Sequence, residues 1–406
     1  MADFQVTSAT FDALLQEDYI RQDITDAINK ATVFKSKLNR KGTIDGRRAI
    51  YPVMTGVAQG NGSRAEMAPL PAFGAGVYED AIVNTMSHYA RFIVSGQAEV
   101  FSSRKAFVDF AMRALKDTKE GLMLNIARQM WSAGDGALAL VNGAVLAGVS
   151  TVTVDSAYGV LWGSLAGNTT FLFKKNMQIQ FGAENNSGAG YSVTGSTGTT
   201  ITFTPALAAN VADNVVISIN GSASSEMEGW LKIVATASLQ NTLLGTVVYH
   251  NINRTNSPDW EGNATNASAA LSLTNIRAIK DALFKRGGNP ELCIVSTEVC
   301  RDYEALLTPN QRFVPAIKLE GGATAIEHDG VPFTKDKDAP AKALNLVSAS
   351  AIEIVQRDDP NWQKQGDAIM RVVSGFDAKE GTLRWYANLD CSEPRKQAIL
   401  YNLTVS

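Results

Sequence analysis

The chain has 406 residues, 45% hydrophobic and 19% charged, with a formal net charge of −3. That apolar content excludes a disordered chain, and the charge balance excludes a basic nucleic-acid binder that works by phosphate neutralisation. No apolar run reaches the ~18 residues of a membrane span, and the opening MADFQVTSATFDALLQEDY lacks the basic start and apolar core of a secretion signal, so an intracellular chain of roughly two to four domains is expected.

Residues 1–48 read as an N-terminal arm. Phe11, Leu14, Leu15, Ile20, Ile24 and Ile28 recur at a ragged three-to-four spacing, which predicts a modest amphipathic helix ending near Val33. A basic, glycine-bearing stretch, KSKLNRKGTIDGRR, follows.

Residues 49–83 carry Gly56, Gly60, Gly62, Gly74 and Gly76 together with Pro52, Pro69 and Pro71. Gly and Pro at this density prevent a helix interior. The flanks, 50–57 and 77–83, hold strand-forming residues, so the segment reads as an extended two-stranded loop. Its Met67, Leu70 and Phe73 have no local core to enter, which implies that another surface covers them. Loops of this length inside a compact chain are normally functional.

Residues 84–136 form the next unit. His88, Arg91, Phe92, Ile93 and Val94 sit in a predicted strand over 84–101. The clearest helix in the chain follows, with Ser102 or Ser103 as its cap. Phe107, Phe110, Ala111, Ala114, Leu115, Leu122, Ile126 and Met130 keep the helical spacing, and Gly134 offers a stop. A helix of this length reads as a structural spine. Gly121 in its interior points to close packing or a bend.

Residues 137–222 hold five charged residues (Asp155, Lys174, Lys175, Glu184 and Asp213), where the chain's own average of 19% would place about sixteen. Val, Thr, Gly and Asn replace them. The segments VSTVTVDSAYG, TTFLFKKNMQIQFG, GYSVTGSTGTTITFTPAL and DNVVISING each read as a strand or hairpin, so this block is expected to be an inserted all-β domain.

Residues 223–365 turn mixed α and β. SSEMEGWLKIVATASLQNTLLG and SLTNIRAIKDALFKRGG read as amphipathic helices, and ELCIVST as a short buried strand. Ser296 or Thr297 caps the next helix, VCRDYEALL. Residues 366–406 read as closing strands that return to pair with those before the long helix.

No chemical motif survives scrutiny. GNGSRA at Gly60–Ala65 fits a relaxed dinucleotide fingerprint, but Pro69 and Pro71 forbid the helix that would receive a pyrophosphate. No Walker A loop and no nucleophile elbow occurs. Cys293, Cys300 and Cys391 form no CxxC pair and read as reduced thiols. His88, His250 and His328 lie in separate regions, without zinc-ligand spacing. No catalytic, metal or cofactor-binding residue is therefore assigned.

The order of elements, together with GNGSRAEMAPLPAFGAGVYED as the extended loop, SSRKAFVDFAMRALKDTKEGLMLNIARQMWSAGDG as the spine helix and the later GVPFTKDKDAP and KALNLVSASAIEIV, resembles the major capsid protein of tailed bacteriophages. That α+β fold is shared with encapsulin shells. The resemblance implies a structural protein, not an enzyme, that self-assembles as hexamers and pentamers of an icosahedral shell around viral DNA. It further implies a virion location after assembly in the host cytoplasm, with scaffolding, portal and decoration proteins as partners. DNA would be enclosed without sequence-specific binding, and no membrane or cofactor is involved. In this reading Arg64, Glu66, Met67, Leu70 and Phe73 are the inter-subunit residues of the assembly loop, and 223–365 is the central (axial) domain. No long charged helical extension is expected ahead of the loop. Some relatives cross-link a loop lysine to a neighbouring asparagine; here no lysine occurs from Gly42 to Arg104, so a non-covalent shell is expected. The alternatives are an encapsulin-type nanocompartment, a β-rich adhesin or carbohydrate-binding protein built around 137–222, and an enzyme with an unrecognised site. The spine helix and the missing secretion signal count against the adhesin.

Overall fold

The computed structural model describes residues 34, 38–40, 44–101, 104–155, 169–307, 317–318, 324–363 and 370–405. The amphipathic helix expected over 11–28 and the Ser102 or Ser103 cap lie outside them. In chain order come β1 (Asn39–Arg40), β2 (Arg48–Gly56), β3 (Val77–Asn84), β4 (Met86–Ser95), α1 (Gly96–Phe101) and α2 (Arg104–Gln129). Next are β5 (Ala137–Val141), β6 (Thr151–Asp155), β7 (Gln178–Phe181), β8 (Tyr191–Ser196), β9 (Thr200–Thr204) and β10 (Val216–Ile219). The third stretch holds α3 (Trp230–Val234), α4 (Ala237–Leu244), β11 (Val248–Tyr249), β12 (Ile252–Asn253), β13 (Asn263–Asn266), α5 (Leu273–Lys285), β14 (Leu292–Val295) and α6 (Thr297–Leu307). The chain closes with β15 (Ile317–Lys318), β16 (Thr324–His328), β17 (Val331–Lys335), β18 (Leu344–Val347), β19 (Ile352–Gln356), β20 (Asn361–Trp362), β21 (Met370–Val372), β22 (Ala378–Cys391) and β23 (Ala398–Tyr401).

The 26-residue α2 is about 39 Å long at 1.5 Å per residue. It packs along β4, and Leu122, Ile126 and Ala127 near its C-terminal end are buried. Gly121 is not closely packed: a side chain there would meet open space. The helix ends at Gln129, ahead of the expected stop, and the chain then turns at Gly134. Its φ of +86° is one that L-residues rarely adopt, and a Cβ there would sit 3.2 Å from Glu228 Cα.

The first sheet is organised by the 14-residue β22. It pairs with β4 from Ala378 opposite Ser95 to Ala387 opposite Met86, and with β19, β20 and β21 along its other edge. Within it Gly381 stands opposite Phe92, whose ring occupies the space a Cβ would need, and Trp362 meets that ring edge-on. The short β1 adds in parallel to β19. Just before it, Phe34 lies 4.8 Å from the Trp131 ring and 5.9 Å from that of Trp230, which anchors the chain in the main core.

Strands β5–β10 close into a barrel in the order β10-β5-β6-β9-β8-β7. Alternation explains it. Val152, Val154, Ile201 and Phe203 point inward, while Thr151, Thr153, Thr202 and Thr204 face water. Phe181, Tyr191 and Phe203 pack in the interior, with ring centroids 5.1–5.6 Å apart. Closure leaves no edge strand to template pairing with other chains. Of the expected strand TTFLFKKNMQIQFG, only 178–181 is extended along the ladder. The two ends of the barrel segment lie side by side, with Ser224 N–H donating to Asp135 O at 3.0 Å.

The second sheet runs β13-β23-β18-β14-β17-β16-β15. Ser272 caps α5 by accepting from Asn275 N–H at 3.1 Å, and Ser296, rather than Thr297, caps α6 by accepting from Val299 N–H. Further expectations need correction. The strand expected over 84–101 ends at Ser95, where α1 takes over. The final strands divide: β22 returns to β4, but β23 lies between β13 and β18 in this second sheet. The helix expected over 224–245 breaks at Ala235 into α3 and α4. Arg254 takes the carbonyls exposed at the break, and Thr236 caps α4 by accepting from Leu239 N–H.

Candidate assembly surface

Strands β2 and β3 pair antiparallel from Arg48 opposite Asn84 to Gly56 opposite Val77, with a bulge near Met54. Successive side chains alternate between faces. On the inner face Ala81 and Val83 are fully buried, and Tyr51 and Val53 pack against the main core. The outer face carries Ile50, Met54 and Tyr78, each more than half exposed. A two-stranded ribbon that is apolar on both faces satisfies only one of them within the subunit.

Beyond the ribbon the chain runs as two limbs. They touch where Gly74 crosses Gln59 and Gly60: a Cβ on Gly74 would sit 2.8 Å from both backbone nitrogens, so this crossing requires glycine. A turn closes the tip, with Ala68 N–H donating to Ala65 O at 3.1 Å. Arg64 and Glu66 stand at this tip, exposed and without ion-pair partners among the described residues. Met67 is 100% exposed and has φ of 63°, a region costly for a non-glycine residue. Leu70 is 86% exposed and Phe73 is exposed in full. The structure thus gathers all five residues on one protrusion and covers none of their apolar side chains.

The root of the protrusion is held by a buried charged cluster. Tyr51 O–H donates to Asp390 Oδ1 at 2.8 Å. His250 Nδ1 lies 3.3 Å from the same oxygen, and its Nε2 lies 2.9 Å from Glu228 Oε2. Lys232 pairs with the other oxygen of Glu228. His250 and Asn251 form the tight turn between β11 and β12, both with positive φ, and His250 O accepts from Ile82 N–H at 2.9 Å. Burial alone would lower the His250 pKa, but the Asp390 and Glu228 carboxylates outweigh it and raise it. Burial would raise Glu228, yet His250 and Lys232 pull it down to about 2. The Tyr51 hydroxyl is pushed up by burial and by Asp390. This arrangement ties β2 and β3 to α3, β11 and β22.

Sequence reasoning missed this cluster and the outer face of the ribbon. For the ribbon a signal existed. In RAIYPVMTG both alternating sets, Tyr51 and Val53 as well as Ile50 and Met54, are apolar. For the cluster there was none, since Tyr51 and Asp390 each lie well over a hundred residues from the 228–250 segment that joins them. Among the described residues, no group of three or more His, Cys, Asp or Glu is placed to hold a metal.

No protein-family model and no curated protein matches the sequence. Solved structures do match. A chain of the cyanophage A-1(L) capsid asymmetric unit aligns with a TM-score of 0.58 at 13% identity, over 98% of this chain and 99% of that one. The capsid of an empty GTA particle aligns at 0.48 with 12% identity, over 92% and 90%. The holo-SrpI encapsulin complex from Synechococcus elongatus PCC 7942 aligns at 0.47 with 8% identity, over 97% and 95%. The first alignment spans both chains nearly end to end, so the α+β phage capsid fold expected from the order of elements is the fold this chain adopts.

Proposed function

We propose that this chain is a structural subunit that assembles with copies of itself into an icosahedral capsid shell around viral DNA. The observation that carries the proposal is the protrusion, whose Met67, Leu70 and Phe73 are left in water by their own subunit. Fully burying side chains of this kind is worth about 1.5–3 kcal/mol each, which an isolated subunit forgoes. Because the tip and the surface that receives it are different patches, the contact is heterologous, and repeated around an axis it closes into rings. Hexamers and pentamers are the rings an icosahedral shell requires. Arg64 and Glu66 supply charges for pairing across the subunit boundary.

In this reading residues 1–48 are an arm, 49–83 the assembly loop and 84–136 the peripheral domain. Residues 137–222 are an inserted β domain, 223–365 the central domain and 366–406 the closing strands. The role is structural rather than catalytic. The shell forms in the host cytoplasm, becomes part of the virion, and works with scaffolding, portal and decoration proteins.

Deleting residues 58–75 tests the reading. The loop lends the body little, since its one recorded backbone hydrogen bond lies within its own tip. The expected product is a soluble, folded subunit that forms no stable shell by electron microscopy, whereas the intact chain forms shells with DNA-filled counterparts in a lysate. Normal shells from the deletion would overturn the role of the loop, and shells filled with protein cargo would overturn the viral assignment.

A further inference from the structure

Three Asn–Gly dipeptides occur in the chain: Asn61–Gly62, Asn142–Gly143 and Asn220–Gly221. Such a pair is prone to cyclise, because a glycine lacks the Cβ that keeps its amide nitrogen away from the preceding side chain. The reaction also needs that N–H free of other bonds and the asparagine amide free to swing.

Two of the pairs are restrained. Gly143 N–H donates to Asp213 Oδ1 at 2.7 Å, and Asn142 N–H donates to Thr153 O at 3.0 Å. Gly221 N–H donates to Gln180 Oε1 at 2.8 Å, while Asn220 Nδ2 donates to Gly188 O at 3.1 Å. The third pair differs in each respect. Asn61 and Gly62 are exposed, and neither has a hydrogen bond among the described residues. The atom nearest to a Cβ built on Gly62 is Pro71 Cγ, at 3.8 Å.

We propose that Asn61 is a site of spontaneous covalent modification. Gly62 N attacks Asn61 Cγ, a carbon–nitrogen bond forms, and ammonia leaves with the amide nitrogen. Water then opens the resulting succinimide at either carbonyl, giving aspartate or isoaspartate. One water enters and one ammonia departs, so no oxidant or cofactor is needed. The product carries a new negative charge, and isoaspartate adds one carbon to the backbone. Asn61 directly follows Gly60, where the limbs cross at Gly74. A lengthened backbone there shifts the limb bearing Arg64 and Met67 against the one bearing Leu70 and Phe73. This consequence rests on the assembly reading: the changed loop meets its neighbour poorly, so free subunits age out of the assembly-competent pool while assembled ones are shielded.

The test is peptide mapping of the purified full-length chain after incubation in warm, mildly alkaline buffer. The Asn61 peptide should gain about 1 Da and split into two chromatographic species, while the Asn142 and Asn220 peptides stay unchanged. Gly62→Ala should slow the change by about tenfold or more, and Asn61→Gln should abolish it. An inert Asn61, or equal rates at all three sites, would overturn the proposal. Modification at Asn61 in a chain that never forms shells would uphold this inference and defeat the assembly reading. Chains whose Asn61 stays inert while they are held as free subunits, yet which build shells when allowed to assemble, would do the reverse.

Discussion

Arg254 is fully buried, and five hydrogen bonds leave its guanidinium. Nε donates to Trp260 O, Nη1 to Lys232 O, Ala235 O and Gln240 Oε1, and Nη2 to Ile233 O, at 2.7–3.1 Å. Its Cζ sits 4.5 Å from the Tyr249 ring centre. Burial pulls its pKa down to about 10, so it remains charged at neutral pH, facing the negative end of α3. Replacement by lysine keeps the charge but provides three donors on a point-like ammonium instead of five in a planar fork. At least two acceptors then lose their partners. At about 1–3 kcal/mol per buried unsatisfied group, Arg254→Lys should cost about 2–6 kcal/mol. Arg254→Leu, which strands all five, should cost more. These losses are large against a total stability of about 5–15 kcal/mol. Urea unfolding of the purified subunit, followed by tryptophan fluorescence, reads the effect directly, since Trp230 and Trp260 lie beside the site. Arg277→Lys, on the exposed face of α5, serves as a control expected within about 0.5 kcal/mol of the parent. An Arg254→Lys protein as stable as that control would refute the argument that these carbonyls depend on the guanidinium.

Two further outcomes are expected. Because the pKa of His250 is raised in the fold, its stabilising contribution is complete below the ordinary value of about 6.5 and is lost as pH rises through the higher folded value. The denaturation midpoint should therefore fall on the alkaline side of neutrality, and His250→Gln should remove that slope; a slope that persists in the variant would refute the assignment. Buried His88, lowered to about 4, and Asp336, raised to about 6, titrate below this window. Expressed alone, residues 137–222 should show a β-type circular dichroism spectrum and a cooperative melt, because the barrel closes on itself and its ends meet at Asp135 and Ser224. A disordered spectrum would show that the barrel depends on the rest of the chain.

The sequence by itself determined what depends on neighbours two to four residues apart. The spacing of Leu122, Ile126 and Met130 placed α2, the alternation in TVTVD and TITFT placed β6 and β9, and the glycines and prolines of 56–76 excluded helix there. Even the exposed apolar tip was legible, since no local partner existed for Met67, Leu70 or Phe73. Only the tertiary structure decided where distant segments meet. That β22 returns to β4 was expected from the order of elements, but that β23 parts from it and joins β13 and β18 in the second sheet depends on packing between distant segments, for which local pattern holds no information. The same holds for the break between α3 and α4. Its residues read as one continuous amphipathic helix, and it ends because Arg254, from a later segment, claims the carbonyls that the helix would have used itself. The cluster of Tyr51, Glu228, His250 and Asp390 is likewise invisible in order: each residue is unremarkable alone, and only burial against the others turns four ordinary side chains into the fastening of the protrusion.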